Sequence, residues 1–83
     1  MAQTDEPEFA RDDWLVRAAE QLGVGSLNEV EATALLDAAR DIAHNTERRY
    51  APLTCFLLGV AAANDRGTLV AQAQALAALA RGD

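Results

Sequence analysis

The 83-residue chain is long enough for one domain and too short for two. Half of it is apolar, chiefly Ala and Leu, only 5% is aromatic, and the formal charge is −6 with every basic residue an arginine. That balance excludes a disordered chain, opposes binding to nucleic acid or an anionic membrane, whose phosphates the charge repels, and favours helices, in which Ala and Leu lose little freedom.

The lone cysteine, Cys55, excludes an internal disulfide framework. The acidic start is unlike a basic signal peptide, and no apolar run reaches the ~18 residues needed to cross a bilayer. The expected compartment is the cytoplasm. The expected fold is all-α: a compact bundle of four short helices over residues 12–83, preceded by a flexible acidic tail over residues 1–11.

In chain order, the tail carries Asp5, Glu6 and Glu8 and is interrupted by Pro7. The first helix is expected from Asp12 to Leu22. Trp14, Leu15, Ala18, Ala19 and Leu22 share a face, Asp12 and Asp13 suit its start, and Gly23 and Gly25 stop it. The second helix has two competing capping boxes, Ser26 with Glu29 and Asn28 with Glu31. It buries Ala32, Leu35, Leu36, Ala39, Ile42 and Ala43, and turns Asp37, Arg40, Asp41 and His44 outward. Pro52 opens the third helix at its first position, because the residue before a proline is pushed out of the α region. From there to Asn64 the chain is apolar nearly all round, which predicts the central, buried helix. Within it Cys55, Gly59, Ala62 and Ala63 form a strip of small residues on which a neighbouring chain could pack closely. The fourth helix is expected from Thr68 to Ala80, burying Leu69, Ala73, Leu76 and Ala80, with Arg81 and Gly82 at its end. Trp14 and Tyr50 are expected to pack in the core.

Catalytic machinery is sparse. One His and one Cys cannot make a structural zinc site, no CxxC, HExxH or phosphate-loop motif occurs, and Gly23-Val24-Gly25 follows no strand. No metal, no cofactor and no catalytic residue are expected. The remaining constellation runs from Arg40 to Pro52. Asp41 and His44 stand one helical turn apart, and a carboxylate there favours the imidazolium. Arg48 and Arg49 carry guanidinium forks that match a phosphate or carboxylate. Two readings follow. Asp41, His44, Arg48 and Arg49 form an anion- or partner-binding corner, or they belong to a solvated helix face with ordinary ion pairs such as Asp37 with Arg40.

Trp14, Ala43-His44, Arg48 and Ala51-Pro52-Leu53 give the chain a pattern that resembles an uncharacterised family of small helical domains. The resemblance covers about Asp12 to Ala80. Such domains occur alone or fused behind a molybdenum cofactor guanylyltransferase-like domain. The resemblance implies an accessory role in maturing or delivering that cofactor, as molybdopterin-guanine dinucleotide, by docking on the guanylyltransferase-like protein. A small-ligand binder or enzyme using His44 and Arg48, and a structural homo-oligomer, are the alternatives.

Overall fold

A computed structural model describes the backbone from Pro7 and the side chains from Trp14 to the C-terminus. The expected tail lies outside the described residues, apart from the backbone of residues 7–11. Among the described residues four helices follow in order: α1 (Pro7–Leu22), α2 (Glu29–Asn45), α3 (Tyr50–Ala62) and α4 (Leu69–Arg81), with a 3-10 turn at Arg66–Thr68 leading into α4. No strand occurs among the described residues. The expected all-α bundle of four helices is therefore what the chain adopts, with α1 beginning at Pro7 instead of near Asp12.

The helix ends follow from their residues. Gly23 takes φ +72° and the Val24 amide donates back to the Ala19 carbonyl at 3.0 Å, closing α1. Gly82, at φ +87°, does the same for α4, where the Asp83 amide donates to the Ala78 carbonyl at 2.9 Å. Left-handed backbone costs glycine nothing and other residues about 1–2 kcal/mol. At the start of α2 the Asn28–Glu31 box forms. The Asn28 side chain accepts from the Glu31 amide at 2.8 Å, and the Glu31 carboxylate accepts from the Asn28 amide at 3.0 Å. The rival start at Ser26 is not used.

α3 begins at Tyr50, two residues before the expected start, so Pro52 sits inside its first turn. The first turn of a helix has no internal partners for its amides, so the missing N–H still costs nothing. Turns from the Glu47 carbonyl to the Tyr50 amide, 2.9 Å, and from the Arg48 carbonyl to the Ala51 amide, 3.1 Å, lead the chain in.

The packing corrects the expected centre. α2 and α4 pack along their length and α3 lies against that pair. The core is Ala38, Leu58, Ala62, Leu69, Ala73 and Ala77, flanked by Leu27, Ala34, Leu35 and Leu76. Four of the six core residues are alanines, so the α2–α4 seam closes by near approach of backbones and not by large side chains. α3, expected to be the buried helix, buries only Leu58 and Ala62. On α2, Ala38 is buried and Leu36 faces solvent, because the seam follows Glu31, Leu35, Ala38 and Ile42. Among the described side chains of α1 only Ala19 is buried; Trp14 and Tyr50, expected in the core, are exposed, as is Leu22 on the expected face of α1.

Candidate functional site

Among the described residues, no hydrogen bond or ion pair joins any two of the four residues singled out in the sequence, Asp41, His44, Arg48 and Arg49. Asp41 lies on the flank of α2 facing α4, and its Oδ2 takes a hydrogen bond from Arg81 Nη1 at 2.8 Å. Two carboxylates, Asp41 and Asp83, stand by Arg81 and hold its proton more firmly than usual. The Asp41 backbone carbonyl accepts from Asn45 Nδ2 at 2.7 Å, at the end of α2. His44 is exposed on the last turn of that helix, and no hydrogen bond joins it to Asp41 among the described residues. Arg48 is exposed, with no ion pair among the described residues. Arg49 pairs with Glu47 at 2.9 Å and lies 5.3 Å from the centre of the Tyr50 ring, a cation–π contact. The ordinary pair expected between Asp37 and Arg40 is present at 3.3 Å.

Asp41 instead belongs to a groove of mixed polar and apolar lining between α2 and α4. The groove encloses about 570 Å³ and is rimmed by Glu29, Asp37, Arg40, Gln74 and Arg81, with Ala73 and Ala77 at its floor. Its charges are largely matched to one another, which leaves little net field for an ion.

A second groove is apolar. It encloses about 640 Å³ between α1, the α1–α2 loop and α3, and is lined by Leu15, Ala18, Val24, Leu27, Cys55 and Gly59. Arg66 reaches its edge, and that guanidinium is committed. Nε donates to Glu31 Oε2 at 3.0 Å, and Nη2 donates to Glu31 Oε1 at 2.9 Å and to the Ser26 carbonyl at 2.7 Å. The Arg66 fork, then the Asn28 amide, hold the Glu31 carboxyl below the usual carboxylate range. This clamp ties the 3-10 turn to the start of α2 and shapes the groove's lip. The Asn28–Glu31 spacing announces half of it; Arg66, 35 residues away, carries no local signal. Burial pushes the Cys55 thiol pKa up, which disfavours the thiolate at the groove wall.

Among the described residues no three His, Cys, Asp or Glu side chains gather as metal ligands would, and no helix is long and apolar enough to cross a membrane. Fold and surface thus define a small all-helical domain with one charge-matched groove and one open apolar one. The chain belongs to the family described as domain of unknown function (DUF6457), whose pattern matches residues 6–82. No curated protein and no solved structure matches it.

Proposed function

We propose that this domain is an accessory docking module in molybdenum cofactor maturation, receiving an apolar helix of a guanylyltransferase-like protein in the groove between α1 and α3. The observation that supports docking is the groove itself, about 640 Å³ and lined by Leu15, Ala18, Val24, Leu27, Cys55 and Gly59. Amphipathic helices seat their apolar faces in grooves of this kind, and exposed apolar concavities on small domains mark such contacts. The choice of partner rests on the resemblance carried by Trp14, Ala43-His44, Arg48 and Ala51-Pro52-Leu53. Docking is preferred to phosphate binding because Arg49 is engaged by Glu47 and Asp41 by Arg81, while His44 and Arg48 are exposed and line neither groove, so neither groove gathers His44 and the two arginines for an anion.

Calorimetry with the guanylyltransferase-like protein of the same cell tests the reading. The expected result is a complex weakened roughly tenfold or more by Gly59→Leu, since a side chain there occupies the groove. A Cβ at Gly59 meets no atom within 4 Å, so the backbone there has room for a side chain to begin, and circular dichroism of the variant checks that its helicity is kept. No association at micromolar concentrations contradicts the proposal.

A further inference from the structure

The outer flank of α3 is a different surface from the groove. Leu53, Phe56, Leu57 and Val60 are 58%, 69%, 64% and 58% exposed. Their spacing, i, i+3, i+4, i+7, puts them in one straight stripe along the helix. From Tyr50 to Ala63 the chain carries no charged residue. Side chains of this size at this exposure present on the order of 500 Å², toward the upper end of the patches that monomers tolerate.

We infer that this stripe is a self-association surface on which the α3 helices of two copies pack antiparallel about a two-fold axis between residues 56 and 57. Three observations select a second copy as the occupant. The stripe maps onto itself under that axis: Leu53 meets Val60 of the partner and Phe56 meets Leu57, so each large side chain faces another apolar one, as an isologous contact requires. The ends of the helix are complementary in charge. Beyond the Glu47–Arg49 pair, Arg48 precedes α3, and Asn64 and Asp65 follow it, so the antiparallel arrangement lays Arg48 of one copy over Asp65 and the carbonyl-rich helix end of the other. That local attraction opposes the repulsion between two chains of formal charge −6. The area fits as well: two stripes together cover about 1,000 Å², the lower limit for a specific interface. The dimer is accordingly of moderate strength, with a dissociation constant of roughly 1–100 μM, and strengthens with salt as the net repulsion is screened.

The surface is independent of the groove between α1 and α3, and so of the docking proposed above. Sedimentation equilibrium from about 1 to 500 μM reads the association. The parent is expected to pass from monomer to dimer across that range. Phe56→Glu, which sets two carboxylates beside the axis, is expected to stay monomeric with unchanged helicity at low concentration. Orientation is read by mixing Leu53→Cys with Val60→Cys, each in a Cys55→Ser background, under mild oxidation. The mixed disulfide is expected to exceed either homodisulfide. A monomer at every concentration overturns the inference and leaves the stripe to a different protein. A dimer indifferent to Phe56→Glu, or a preference for the Leu53→Cys homodisulfide, overturns it also.

Discussion

The α2–α4 seam and the outer flank of α3 use apolar residues in opposite ways. In the seam, Ala38, Ala73 and Ala77 are buried and hold two backbones close together. On α3, Leu53, Phe56 and Leu57 are larger and more hydrophobic, and they face solvent. Burial here follows the distance between helices and not the hydrophobicity of the residue. α3 covers one edge of the pair with Leu58 and Ala62 and turns the remainder of its large apolar side chains outward. The seam carries the buried contacts, and the flank faces solvent.

The largest expected effect breaks the comparison at its joint. Leu58→Ala, in the buried row of α3, is expected to cost about 2–5 kcal/mol in denaturant unfolding, while Leu57→Ala next to it costs much less at low concentration. A similar loss for both would place the whole helix in the core. Next is Ala73→Leu, which forces α2 and α4 apart and is expected to cost about 1–3 kcal/mol; a neutral result would show that the seam has room to spare.

The clamp at the edge of the seam contributes less. Asn28→Ala removes the cap and is expected to cost about 1 kcal/mol. Its partner Glu31 sharpens the same point through pH. The Glu31 carboxyl titrates below its ordinary value of 4.5 because Arg66 and the Asn28 amide favour the charged form. Its stabilising contribution is therefore complete above the unfolded value and disappears as pH falls through the lower, folded one. Unfolding midpoints followed from about pH 6 to 3 are expected to fall less steeply in Glu31→Gln than in the parent; equal slopes would mean that the clamp does not titrate. The smallest effect has the opposite sign. Gly59 is in the interior of α3 without a left-handed backbone, so Gly59→Ala is expected to stabilise by about 0.5–1 kcal/mol, read as a raised thermal midpoint.

Some of this was legible beforehand. The helical class and the four segments follow from composition and period, and Gly23 and Gly82 mark their stops. The Asn28–Glu31 box was one of two written in the chain, and only the structure chooses, because Glu31 must also meet Arg66. The buried flank of α3 was illegible for a plain reason: a helix apolar on every side has no polar stripe to show which way it faces. Of the candidate site, Asp41 does face a groove, but its partner is Arg81, 40 residues away, and not His44 one turn along. Long-range pairing overrides local spacing there, and no periodicity reports it.

The most direct measurement compares the unfolding free energy of Leu53→Gln/Leu57→Gln with that of the parent, both at submicromolar concentration where each is a monomer. A stripe that faces water predicts values equal within about 0.5 kcal/mol. A loss of about 2 kcal/mol or more would contradict the account, because it would mean that those leucines are part of the core.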